Sequence, residues 1–169
     1  TPTGAQTMDD LMSAVFGVFG PGGAPVATAF LLADPRVIVC NRFDVAALIE
    51  SNQVGLIGPG NRRFKARVSR VNTEHPFGPT LLDVPPEIQA AGLRLDASQP
   101  QAGDFVQVAV AAGEKTGISS GPVIRTEKHA ISIEPVGNVA GLVSLECYVA
   151  PGACGGPVVD GRMAVRGYI

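Results

Sequence analysis

The chain has 169 residues, a formal net charge of −2 at pH 7, and 46% apolar against 17% charged residues. That length suits one domain, or two small lobes folded as one unit, and the composition excludes a disordered chain. The charge argues against a general nucleic-acid binder, which needs a basic surface to meet phosphates, and no run of about 18 apolar residues is present to span a membrane.

Gly (21) and Pro (14) are abundant and Trp is absent, so many turns and short strands are expected rather than long helices. Residues 1–12 form a polar N-terminal extension in which Asp9-Asp10-Leu11-Met12 starts a helical turn. The opening Thr1-Pro2-Thr3 has neither an initiator Met nor a signal peptide. It reads as a trimmed or processed product, so the missing targeting segment says nothing about location.

Ser13 to Phe19 is the first predicted strand, and Gly20-Pro21-Gly22-Gly23 is a turn by composition. Val26 to Leu32 and Val37 to Cys40 are strands separated by the short turn Ala33-Asp34-Pro35-Arg36, the pattern of a hairpin. Val45 to Glu50 has mixed periodicity and fits either a helical turn or a strand. Val54 to Ile57 and Phe64 to Val71 flank the turn Gly58-Pro59-Gly60-Asn61. In the second of these, apolar Phe64, Ala66 and Val68 alternate with Lys65 and Arg67, the period of a half-exposed strand. Thr73 to Pro79 is a loop holding His75, and Leu81 to Val84 is another strand.

Residues 85–101 read as a linker with little periodicity. A second series follows: Phe105 to Ala111, Gly117 to Thr126, Ala130 to Ile133, Leu142 to Val149, Pro157 to Val159 and Met163 to Ile169. Short strands at regular spacing with Gly/Pro turns predict an all-β barrel or sandwich, and the midpoint linker predicts two such units. The expected divisions are 1–12, 13–84, 85–101 and 102–169.

The chemistry concentrates in Pro151-Gly152-Ala153-Cys154-Gly155-Gly156-Pro157-Val158-Val159-Asp160. Glycines there let the backbone take positive φ and aim successive N–H groups at one point, with Cys154 where a nucleophile would sit. Cys40, Cys147 and Cys154 make an odd count with neither CxxC nor zinc spacing, so Cys40 and Cys147 are expected to be buried thiols.

Four pieces resemble the trypsin-like (chymotrypsin-fold) proteases, especially the bacterial HtrA/Deg branch. TAFLLADPRVIVCNRF (28–43) is similar to the hairpin ending in the catalytic histidine. FKARVSRV with GPTLLDV (64–84) is similar to the stretch holding the catalytic aspartate. AGDFVQVAVAAGEKTGISSGPVI (102–124) resembles the opening of the second barrel, and PGACGGPVVDGRMAVRGYI (151–169) the nucleophile loop and its following strand. The loop also resembles that of the viral 3C-like cysteine proteases. The resemblance implies two six-stranded-type antiparallel β-barrels with the site between them, the second lacking its last strand. An open barrel leaves an edge that invites pairing, so the implied partners are a protein or peptide ligand, and a second copy or partner chain that completes the second barrel. HtrA relatives are often extracytoplasmic and oligomeric, and the same is implied for this chain; neither cofactor nor metal is implied.

Carried over residue by residue, the triad is degenerate. The histidine position falls on Arg42, or on Asn41 with a one-residue slip; the aspartate position falls on Gly78; the serine position falls on Cys154. Arginine stays protonated and cannot serve as the base, and glycine has no side chain to orient one. The N–H groups of Gly152 and Cys154 are the implied oxyanion hole, and Arg42 is expected to place a cation near the sulfur. His75 is the alternative base; its bland reading is a solvated loop residue. His129 is expected at an exposed turn, a metal site of His75, His129 and Glu74 has no ligand spacing behind it, and Arg42 has Asp44 or Asp83 as an ordinary ion-pair partner. A Cys40–Cys154 disulfide requires Cα atoms within about 7 Å.

Three functions follow. The first is a catalytically inactive pseudoprotease that binds or scaffolds proteins or peptides. The alternative is an active chymotrypsin-fold cysteine endopeptidase with Cys154 as nucleophile and His75 as base. The third is a metal- or redox-linked module using the histidines or the Cys40/Cys154 pair.

Overall fold

Short apolar runs broken by Gly and Pro turns bury one face only by pairing with one another. The computed structural model describes residues 7–20, 22–112, 115–133, 136–149 and 152–169. Residues 1–6 of the N-terminal extension, Pro21 of the first predicted turn and Pro151 of the cysteine loop lie outside the described residues.

The helical turn expected at Asp9 is α1 (Met8–Ser13). It starts at a capping box: the Thr7 hydroxyl accepts from the Asp10 N–H, and the Asp10 carboxylate accepts from the Thr7 N–H. Strands β1 (Val15–Phe19), β2 (Pro25–Leu31), β3 (Ile38–Asn41), β4 (Gln53–Ile57), β5 (Arg63–Val71) and β6 (Pro79–Leu82) follow. They close into a barrel in the order β1-β2-β3-β6-β5-β4. The β2–β3 hairpin forms as expected, with Ala29 opposite Cys40. β3 runs directly into a short helix, α2 (Arg42–Val45), and the ambiguous stretch after it is a 3₁₀ turn over Ala46–Leu48. Phe16, Phe30, Leu31, Ile38, Leu56 and Leu82 fill the barrel, each contributing about 1.5–3 kcal/mol of hydrophobic stabilisation.

The segment read as a linker is more than a tether. It carries β7 (Arg94–Leu95) and seats Leu93 fully in the core. The Leu93 N–H donates to Leu31 O and its carbonyl accepts from the Ala33 N–H, so this stretch is laced to the end of β2. Periodicity misses it because two paired residues are too few to show a period.

The second half contributes β8 (Phe105–Ala112), β9 (Lys115–Thr126), β10 (Ile131–Ile133), β11 (Gly137–Val139), β12 (Val143–Leu145), β13 (Pro157–Val159) and β14 (Ala164–Tyr168). Six strands form one curled, open sheet in the order β12-β9-β8-β13-β14-β7, with β7 parallel to β14. β10 and β11 pair by themselves as a hairpin, and β11 is a strand that sequence patterning does not reveal. The molecule is thus nearly all-β, a closed barrel followed by a half-barrel, in the double-barrel architecture expected. Ala109 and Ala111 of β8, Val159 and Val165 join the first barrel's apolar core, so the two sheets share one packed seam.

Candidate functional site

The site lies on that seam, and Thr28 and Asn41 build it. Thr28 on β2 is fully buried. Its N–H donates to Cys154 O at 2.8 Å, its hydroxyl donates to Gly152 O at 2.7 Å, and the same oxygen accepts from the Ala111 N–H at 3.2 Å. One side chain of the first barrel therefore clasps both the cysteine loop and β8. Asn41 ends β3. Its Oδ1 accepts from the Phe43 N–H and caps α2, while its Nδ2 donates to Ile169 O at 3.3 Å. The Ile169 carbonyl also accepts from the Gly155 N–H, so the helix start and the cysteine loop meet on one oxygen.

Between them is a cleft of about 570 Å³, with Phe43, Asp44, His75, Phe77, Cys154 and Tyr168 on its walls. Phe43 and Phe77 meet edge-on with ring centroids 5.4 Å apart, and the Tyr168 hydroxyl donates to Phe77 O.

Cys154 is exposed at the mouth of this cleft. Asp44 lines the same cleft, and its carboxyl bears on the thiol. Burial pushes the thiol up first, and the charge and hydrogen bond of Asp44 push it further; only its own N–H favours the thiolate. Asp44 is pushed up by burial and drawn partly back by the thiol. A carboxylate beside sulfur repels the thiolate, the reverse of the cation or imidazolium that activates a cysteine. Burial and the carboxylate together favour the thiol over the thiolate.

The structure spreads the other sequence-derived site residues around the cleft. Arg42 turns away from the sulfur: its Nη1 donates to Thr73 O and His75 O, each at 3.4 Å. Gly78 lines the cleft. Its N–H donates to His75 O and its carbonyl accepts from the Arg42 N–H. A Cβ there would lie 3.1 Å from the Asn72 side chain, so an amide fills the space beside it. His75 also lines the cleft, with both ring nitrogens engaged by the backbone: Nε2 donates to Ala140 O at 2.9 Å and Nδ1 accepts from the Phe77 N–H at 3.1 Å. Gly152 stands at φ +87°, and no described backbone carbonyl accepts a hydrogen bond from the N–H of Gly152 or of Cys154.

Away from the sulfur, Cys40 is a core side chain whose thiol burial pushes up to about 12, and all three cysteines are free. Asp83 pairs with Arg67 at 3.9 Å rather than with Arg42. His129 is exposed in the turn after β9. Among the described residues no three His, Cys, Asp or Glu side chains gather to hold a metal, and no helix is long and apolar enough to cross a membrane.

Sequence reasoning missed Asp44 as the group at the sulfur. One signal was available. With Asn41 as N-cap, Asp44 is the third helical residue, where a carboxylate suits a helix start. Which way that first turn faces depends on the pairing of β3, a tertiary matter.

Replacing Asp44 by Asn is expected to make Cys154 more reactive toward iodoacetamide and to move the pH midpoint of its modification downward. Burial, the larger cause, still keeps the thiol raised. Mass spectrometry of the modified peptide across pH checks this, with Asp34→Asn on an exposed turn as the control. An unchanged midpoint would show that the carboxylate does not govern the sulfur.

No protein-family model matches the sequence, and no curated protein matches it. Solved structures do. The MamO protease domain from Magnetospirillum magneticum, in its apo form, aligns with TM-score 0.73 and 18% identity over 96% of this chain and 86% of that one. An inactive form of Rv3671c from M. tuberculosis H37Rv, a serine-to-alanine mutant, aligns with TM-score 0.71 and 18% identity over 99% of this chain and 82% of that one. The serine protease of a human pathogenic astrovirus aligns with TM-score 0.66 and 17% identity over 91% of this chain and 80% of that one. All three carry the trypsin-like protease fold, and so does this chain.

Proposed function

We propose that this trypsin-like double barrel is a catalytically inactive pseudoprotease that binds protein or peptide segments in the cleft at Cys154. One observation carries the reading: the ionisable group that bears on the Cys154 thiol in the cleft is the Asp44 carboxyl, where proteolysis needs an imidazole. Transfer of the thiol proton to that carboxylate runs uphill, because a thiol is a far weaker acid than a carboxylic acid. His75 is occupied on both nitrogens, and the residue at the aspartate position is Gly78. A missing general base alone typically costs about 10²–10⁴-fold in rate. The cleft itself supports binding. Its volume is that of an ordinary ligand pocket, and the N–H groups of Gly152 and Cys154 are donors suited to a peptide carbonyl.

The second reading, an active cysteine endopeptidase, draws on the presence of His75 in the same cleft as Cys154. A fluorogenic peptide-library screen separates the two. The expected result is turnover indistinguishable from that of Cys154→Ala. Turnover that disappears in Cys154→Ala would replace the first reading with the second.

A further inference from the structure

The carboxylate that silences the thiol points to what the cleft accepts. Asp44 is half-buried, and among the described residues no Lys, Arg or His comes within ion-pair distance of it. Its sequence neighbour Arg42 spends its guanidinium on the carbonyls of Thr73 and His75. The ion pairs among the described residues, Arg67–Asp83, Arg125–Glu127 and Arg166–Asp160, all lie on other residues. The carboxylate has two oxygens and about four acceptor positions. A partly desolvated carboxylate with spare acceptor positions favours a cation. The surrounding walls are aromatic and aliphatic, from Phe43, Phe77, Tyr168, Val136 and Leu142. Aromatic faces attract alkylammonium and guanidinium groups, and apolar walls cover the methylene stems of long basic side chains.

Other occupants fit this chemistry worse. A metal ion needs three or four donors, and the described residues gather no such group. Phosphates and acidic peptides meet a carboxylate of their own sign. Resting on the peptide-binding reading above, we propose that the cleft captures an extended peptide through a lysine or arginine side chain. Its charged head pairs with Asp44 and its stem lies along the Phe43 and Phe77 rings. The specificity element is thus supplied by α2 of the first barrel, at the step between β3 and the cysteine loop.

Fluorescence anisotropy with fluorescein-labelled peptides of sequence Ala-Ala-Val-X-Ala-Ala, where X is Lys, norleucine or Glu, tests this on the whole chain at low and high salt. The Lys peptide is expected to bind about tenfold more tightly than the norleucine peptide, from one charge-assisted contact and cation–π attraction. The Glu peptide is expected to bind most weakly, and the Lys advantage to shrink with salt. Asp44→Asn is expected to equalise Lys and norleucine. Equal binding of Lys and norleucine by the unmutated chain, or a Lys preference that survives in Asp44→Asn, overturns this inference and leaves peptide binding standing. No binding of any of the three peptides overturns both readings. A fragment test needs no variant: n-butylammonium, and not n-pentanol, is expected to shift the NMR resonances of Asp44 and Phe77 in the unmutated protein. Equal shifts from the two overturn the inference. Self-association that depends on Asp44 in sedimentation velocity would assign the cleft to a second copy instead, and overturn it too.

Discussion

Gly155→Ala is expected to cost about 3–5 kcal/mol of stability, a large loss for one methyl group. Gly155 follows the cysteine at φ +89°, and a Cβ built on it would lie 2.1 Å from Thr28 O. Left-handed backbone alone costs a non-glycine residue about 1–2 kcal/mol. The rest comes from collision with a carbonyl that has nowhere to go. Thr28 is held from both sides, by β2 pairing and by its bonds to Gly152, Cys154 and Ala111. Gly103→Ala is the matched control. It has a similar positive φ of +91° with open space around the missing Cβ, so only the cost of about 1–2 kcal/mol is expected there. Urea unfolding followed by circular dichroism measures both. Equal losses for the two variants would mean that the barrel seam does not press on the cysteine loop.

Thr28→Val is expected to cost about 2–4 kcal/mol, although valine has nearly the same shape, because two buried backbone groups lose their partner together. Gly152 O loses the hydroxyl donor and the Ala111 N–H loses its acceptor. Thr28→Ser keeps the hydroxyl and is expected to recover most of the loss, short of about 1 kcal/mol for the deleted methyl. The same pair reports on the site. With the valine variant the cysteine loop loses its side-chain tie to the first barrel and keeps only backbone ones, and Cys154 modification by iodoacetamide is expected to speed up while the protein is still folded. If serine were as damaging as valine, packing of the methyl and not the clasp would be what Thr28 provides.

These two effects fall where local sequence says least. Gly155 is visible as part of a glycine-rich turn, but its obligation to Thr28, 127 positions earlier, is not. Thr28 reads as one more β-branched residue in an apolar strand. The barrel strands were legible because their signals are short-range: Gly/Pro punctuation sets the turns, and alternation such as Phe64, Ala66, Val68 sets the buried face of β5. The linker and β11 were not, because Leu93 and Val139 are buried by what folds over them rather than by a period of their own.

The cysteine loop divides in the same way. Its glycines, its turn and the exposed thiol were written in residues 152–160, because a tight turn and positive φ are properties of adjacent residues. The thiol's neighbour was not. The family resemblance, carried over by position, put a cation at the sulfur through Arg42; the β3 register and the Asn41 cap turn Arg42 to the Thr73 and His75 carbonyls and bring Asp44 round instead. Sequence alone determined an all-β chain in two units with one cysteine on a nucleophile-like turn, and family resemblance made those units barrels. Tertiary structure alone decided the sign of the charge beside that cysteine, because a helix residue's direction is set by how the preceding strand is paired.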